Sequence, residues 1–250
     1  MMGWRRWRLA AVVLIVWAGV AGKAFAYPPH EFHEVPHAKG YVIVIHAGGW
    51  YLVGRGMLGL EYPNVERLNR WGYSTLNVDY HKGAAALKDI LGFHDRLRRR
   101  VGNAKICALG SSAGAHLALM LAYRRADVAC VISEAAPTYL PGLHEPLLGY
   151  ARRFFADHGG LRAWSPALHP PSAPILLAQA KNDTAVPFRQ STRMLEAAPV
   201  AKRIALRPGD RDWVHAKVRG EDLKRFYKAE RKLLDTRPQS ASPGANGVAR

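Results

Sequence analysis

Short apolar, β-branched runs alternate along this chain with longer stretches in which apolar residues recur at helical spacing. Tyr41 to His46 (YVIVIH) has the composition and length of a buried strand. Further strands are predicted over Ser74 to Tyr80, Lys105 to Leu109, Val128 to Ser133, Ile175 to Ala180 and Arg203 to Leu206. Helices are predicted near Tyr62 to Trp71, Ala84 to Arg100, Ala113 to Arg124 and Arg219 to Leu234. Strands and helices in strict alternation, with connections long enough for right-handed crossovers, predict one mostly parallel sheet of about six strands flanked by helices.

Two stretches break the alternation. The interval 137–174 is rich in Pro, Gly and aromatics and too long for an ordinary connection, so it is expected to form a short cap-like insertion over one end of the sheet. Beyond 235 the sequence TRPQSASPGANGVAR lacks large apolar residues, which predicts a disordered tail over 236–250. The globular domain is expected to span 27–235.

At the amino terminus Arg5, Arg6 and Arg8 precede an uncharged run from Leu9 to Val20, followed by Ala24, Phe25 and Ala26. This is the pattern of a secretory signal with an A-x-A cleavage site, so residues 1–26 are expected to be removed and the mature chain to begin at Tyr27 in a secreted or periplasmic setting. An uncleaved membrane anchor is the alternative.

Composition narrows the class. At 250 residues and 49% hydrophobic the chain can bury a substantial core, which excludes whole-chain disorder, and no later run approaches a membrane span. The formal charge is +17, and removal of Arg5, Arg6, Arg8 and Lys23 leaves about +13. Such a charge attracts anionic surfaces or polymers. The densest basic run, Arg96 to Arg100, lies on a predicted helix without interleaved aromatics, so specific nucleic-acid binding is not expected.

Gly110-Ser111-Ser112-Ala113-Gly114 is a G-x-S-x-G between a predicted strand and a predicted helix. A sharp strand-to-helix turn lifts the central serine above the sheet and sets it at the helix amino end, where the dipole favours developing negative charge. His46-Ala47-Gly48-Gly49-Trp50 follows the first strand and resembles an oxyanion loop, with the amides of Gly48, Gly49 and Ala113 as donors and His46 as a brace. Asp183 and His215 each follow a strand, in the order in which an acid and a base succeed the nucleophile. Carboxyl ends of parallel strands share one rim, so Ser112, Asp183 and His215 can converge. Glu134, just past another strand, is a second candidate acid.

On these residues the chain resembles the α/β-hydrolase superfamily of serine esterases and lipases. Gly110 to Leu117 (GSSAGAHL) and NDTAVPFRQS are similar to the elbow and acid segments of small carboxylesterases, feruloyl or acetyl-xylan esterase-like proteins and kynurenine formamidase-like proteins. The resemblance implies an α/β-hydrolase fold, Ser112 as nucleophile, Asp183 as acid, His215 as base, and a carboxylic ester as small-molecule substrate, with no cofactor. Ala47 replaces the first glycine of H-G-G-G, and only about 14 residues separate Ala26 from the first strand, so the leading strands are expected to be reduced. Trp50, Tyr51 and Tyr139 are candidate walls of the substrate site.

Other polar clusters predict less. His30, His33 and His37 lie in a Pro-containing extended segment without metal-ligand spacing, so no metal site is expected. Cys107 and Cys130 are expected on adjacent strands, where buried thiols are the commoner state and a disulfide, which export permits, is the alternative. His116 is expected to pack rather than react. Amidase, formamidase or peptidase chemistry with the same three residues, and a catalytically silent basic binding protein, are the alternatives.

Overall fold

The computed structural model describes residues 27–236. The expected signal segment 1–26 and the tail beyond residue 236 lie outside the described residues.

The elements run in the order β1 (His30–His33), β2 (Tyr41–Ile45), α1 (Tyr62–Arg70), β3 (Ser74–Val78), α2 (Ala85–Val101), β4 (Ile106–Ser111), α3 (Ala113–Arg124) and β5 (Cys130–Glu134). Then come α4 (Leu147–Phe155), α5 (Gly160–Ala163), β6 (Ile175–Ala180), α6 (Arg189–Ala197), β7 (Ala201–Leu206), β8 (Pro208–Trp213), β9 (Ala216–Val218) and α7 (Gly220–Asp235). The main sheet has seven strands in the order β1-β3-β2-β4-β5-β6-β7. All neighbours pair in parallel except β1, which runs antiparallel to β3.

Alternation along β2 shows how the sheet divides the interior. Ile43 and Ile45 join one apolar cluster with Phe93 of α2 and Leu117 and Leu121 of α3. Val42 and Val44 join the other, with Val65 and Leu68 of α1 and Phe226 and Leu234 of α7. Successive side chains of a strand point to opposite faces, so a strand covered by helices on both sides must be apolar throughout. Val42, Val44, Ile43 and Ile45 are all fully buried.

The lead into the sheet is reduced, as expected: β1 adds one short antiparallel strand at the edge, a seventh, and its polar sequence HEFH is only half-buried and carries no apolar run. Two expectations require correction. The stretch before His215 forms the β8–β9 hairpin, whose β8 residues PGDRDW are mostly exposed. Cys107 and Cys130 are joined by a disulfide rather than left as thiols. They are directly opposed across β4 and β5, so both side chains leave the same face, and their Cα atoms are 4.7 Å apart, within disulfide range.

Between β5 and β6 the chain makes α4 and α5 joined by 3-10 turns. Leu140, Leu143, Ala151 and Phe155 of this segment are buried in the same cluster as α2 and α3.

Candidate active site

β4 ends at Ser111, α3 begins at Ala113, and Ser112 turns the chain between them with φ 53° and ψ −118°. A non-glycine residue at positive φ is strained, and such strain persists only where the surroundings impose it. Here the Ser112 amide donates to the Glu134 carbonyl at 2.7 Å, and the Ser112 carbonyl accepts from His116 at 3.1 Å. Gly110 and Gly114 permit the turn. A Cβ on Gly110 would lie 2.3 Å from the Gly114 backbone, and one on Gly114 would lie 2.1 Å from the Ile45 carbonyl oxygen. The first turn of α3 therefore packs directly on the end of β2, where the glycine loop begins.

That loop is braced from several sides. The ring of His46 stacks on Tyr80 at 4.3 Å, one nitrogen meets Asp79 Oδ1 at 2.9 Å, and the other meets the Ala47 carbonyl. Asp79 Oδ2 accepts from the Gly54 amide at 2.9 Å, so a single carboxylate ties both ends of the loop. Gly48 (φ 128°) and Gly49 (φ 60°) shape its turn, and the Gly48 carbonyl accepts from Tyr51 and Leu52. Ala113 is the first residue of α3, where a backbone N–H has no helical acceptor. The start of α3 packs at Gly114 on the carbonyls of Ile45 and His46, from which the glycine loop leads.

Trp50, expected as a wall of the substrate site, is fully buried. Its indole N–H donates to His116 Nδ1 at 3.2 Å and its ring packs edge-on against Phe155. With Nδ1 accepting, the proton sits on His116 Nε2, which donates to the Trp164 carbonyl at 2.7 Å. Burial holds His116 down at about 4, so it is neutral and structural, and Trp50 fastens the loop to α3. Tyr51 is exposed and stacks on Tyr150 at 5.8 Å. Tyr139 is half-buried beneath the Arg193 guanidinium at 4.1 Å.

Beyond β6, Asp183 is fixed by four donors. The amides of Ala185 and Val186 bond Oδ1 at 3.0 and 2.8 Å, and Gln179 Nε2 bonds Oδ2 at 2.9 Å. The fourth is His215 Nδ1, at 3.0 Å from Oδ2. His215 lies in the turn between β8 and β9, and its side chain is only partly covered. Nδ1 is engaged by the carboxylate, which leaves Nε2 for a proton partner. Among the described residues no hydrogen bond joins Ser112 Oγ to His215; such bonds are often long in unliganded sites and tighten on substrate.

Glu134 does not meet His215. Its side chain accepts from Ser111 Oγ at 3.1 Å and lies 3.8 Å from Arg67, within a buried group behind the serine turn. Arg67 forks onto Glu230 at 3.1 and 3.0 Å, and Asn64 donates to Glu61. Burial and the neighbouring Glu134 push Glu61 up to about 7, and burial pushes Glu230 up to about 7 against the pull of Arg67.

A pH dependence follows. The unfolded chain releases the Glu61 proton in the ordinary carboxylate range, whereas the folded chain keeps it to about 7. The unfolded state thus binds fewer protons between these limits, and this contribution to stability is full at low pH and lost as pH rises through 7. Glu61→Gln is expected to match wild type in urea unfolding near pH 5 and to exceed it at pH 8 by about 1–3 kcal/mol. Equal differences at the two pH values would contradict this.

No group of three or more His, Cys, Asp or Glu side chains suited to a metal ion occurs among the described residues. No described helix is long and apolar enough to cross a membrane.

No family model matches the chain, and no curated protein matches its sequence. Its fold is similar to solved structures. An acetyl ester-xyloside bifunctional hydrolase from Caldicellulosiruptor lactoaceticus matches with TM-score 0.63 at 18% identity, over 81% of this chain and 86% of that one. An esterase/lipase from an uncultured bacterium matches with TM-score 0.66 at 16% identity, over 83% of this chain and 82% of that one. A thermophilic esterase from Thermogutta terrifontis matches with TM-score 0.62 at 16% identity, over 82% and 86% of the two chains. The chain has the α/β-hydrolase fold.

Proposed function

We propose that this protein is an exported serine hydrolase that cleaves carboxylic esters through an acyl-enzyme. Ser112 attacks the ester carbonyl, His215 accepts the serine proton and returns it to the leaving alcohol, and Asp183 orients the imidazole and stabilises its cationic form. The amides of Gly48, Gly49 and Ala113 receive the carbonyl oxygen as it becomes anionic. Water then repeats the sequence on the acyl-enzyme and releases the acid.

The observation that carries this reading is the 3.0 Å bond between Asp183 and His215. It is supported by the strained turn at Ser112, which follows β4, a strand that runs in the same direction as the β6 strand preceding Asp183. The names of the similar structures, which include esterases and an acetyl ester-xyloside hydrolase, point the same way. Ser112 is only 4% exposed, which favours small acyl or aryl esters. The Cys107–Cys130 disulfide suits an oxidising compartment and so supports export.

Steady-state hydrolysis of short-chain p-nitrophenyl esters tests the assignment. His215→Ala is expected to lower kcat by about 10⁴-fold or more, and Asp183→Asn by about 10²- to 10⁴-fold, with folding retained. Anilides and formamides of matching acyl groups should turn over more slowly than the esters, because an amine is the poorer leaving group. Amides turning over faster would favour the amidase reading. Binding of an anionic polymer without any turnover would favour the silent one.

A further inference from the structure

Beside the glycine loop lies an open cavity of about 450 Å³. Its charged lining residues are Lys82, Lys88 and Arg153, with His158 and Trp164 also lining it and no carboxylate. Gly83, Ala84 and Ala85, at the amino end of the 17-residue helix α2, line it as well. That end has no acidic residue in its first turn and no side-chain cap. Cations at the positive end of a helix dipole oppose it, and an anion there is favoured by both.

An aromatic ledge links this cavity to the candidate oxyanion loop. Gly49 faces Tyr150 and Leu147, Tyr51 stacks on both Tyr150 and Phe154, and Phe154 itself lines the cavity. Lys82 Nζ lies 4.4 Å over the Tyr51 ring, and the Gly83 amide donates to the Trp50 carbonyl at 2.9 Å. Gly83, at φ 66°, is the residue that lets Phe154 lie against the chain: a Cβ there would fall 2.6 Å from the ring. The cavity and the glycine loop are therefore held in one packed unit, with the exposed rings of Tyr51 and Tyr150 between them.

We propose that this cavity is an anion subsite that receives a carboxylate, sulfate or phosphate group carried by the ester substrate. The inference rests on the ester-cleaving reading for its role in substrate choice; the anion site itself stands on the cavity. A ring of the substrate would lie along Tyr51 and Tyr150, with its charged group reaching Lys82, Lys88 and Arg153. Because the whole protein is strongly basic, the decisive property is the location of binding rather than its sign.

The test uses full-length mature protein. Calorimetry on the Ser112→Ala variant measures binding of trigalacturonate, a sulfated trisaccharide and a neutral trisaccharide, independently of turnover. Both acidic probes are expected to bind more tightly than the neutral one, and a preference between them identifies carboxylate or sulfate as the fitting group. Lys82→Glu and Arg153→Glu should each weaken acidic binding by about tenfold or more. Lys228→Glu, an equal charge change on exposed α7, should not. In the catalytically intact protein, the same two variants should lower the ratio of kcat/KM for acetylated acidic over acetylated neutral oligosaccharides by a similar factor. Equal binding of acidic and neutral probes, or equal weakening by Lys228→Glu, overturns the subsite. Localised anion binding in a protein that hydrolyses no ester upholds the subsite and overturns only the catalytic reading.

Discussion

Ser112→Ala is expected to reduce ester hydrolysis by about 10⁴-fold or more while leaving the fold intact. In the proposed mechanism the loss is large because the serine oxygen would supply the covalent bond of the acyl-enzyme, and neither the imidazole nor the proposed oxyanion donors would replace it. Residual hydrolysis above the solvent rate is expected, since those donors remain. The strained backbone at φ 53° is not a reason for the variant to unfold. Serine and alanine both carry a Cβ, so the exchange leaves the strain unchanged. Hydrolysis of p-nitrophenyl acetate with thermal melts on the same samples checks both halves. Undiminished turnover would place the nucleophile elsewhere.

Gly114→Ala is expected to have the opposite signature, loss of the fold. Its Cβ would fall 2.1 Å from the Ile45 carbonyl oxygen and 2.5 Å from that of His46. Both atoms are backbone at the carboxyl end of β2, so no flexible side chain gives way. Either β2 moves from α3, opening a fully apolar interface, or the turn at Ser112 is lost. We expect destabilisation of about 3–5 kcal/mol, comparable to much of a domain's net stability, and largely insoluble expression. Gly56→Ala is the control, because nothing lies within 4 Å of its added Cβ. Denaturant midpoints of the two variants should therefore differ widely, and similar midpoints would contradict the packing argument.

The same close approach explains why the turn was legible in the sequence. Gly110 and Gly114 are demanded by backbone contacts, and so they punctuate the chain between an apolar run and a helix. The strands β2, β4, β5 and β6 were visible for a related reason: buried almost throughout, they read as nearly continuous apolar runs, whereas β3 (STLNV) mixes in polar residues and β7 (AKRIAL) is only partly buried and carries Lys202 and Arg203. Ser112 and Asp183 follow two of those runs, β4 and β6, whereas His215 sits in the β8–β9 turn rather than directly after an apolar strand. β1 and the β8–β9 hairpin were not legible, since an edge strand reading HEFH and a hairpin strand reading PGDRDW have little apolar surface to bury. Helix α6 (RQSTRMLEA) was missed because two of its buried residues, Gln190 and Ser191, are polar and Met194 alone among them is apolar.

Side-chain roles divided in the same way. His46 was readable as a brace from its place beside two glycines, but its partner Asp79 is simply the polar residue after β3, and nothing local marks it as the clasp of the loop. Gln179, which orients Asp183, likewise sits in an apolar strand without a motif. Trp50 was misjudged as a substrate wall because its neighbours in sequence point outward while it alone turns inward to His116. The carboxylates Glu61, Glu134 and Glu230 come together only through three separate elements, and no spacing predicts that.

The central claim is that Ser112 is activated by His215 under the direction of Asp183. Treating the protein with a fluorophosphonate and mapping the adduct by peptide mass spectrometry addresses it directly. One modified peptide is expected, with the phosphonate on Ser112, and labelling should slow by orders of magnitude in His215→Ala. A stable adduct on a different residue, or unchanged labelling of Ser112 without the imidazole, would contradict it.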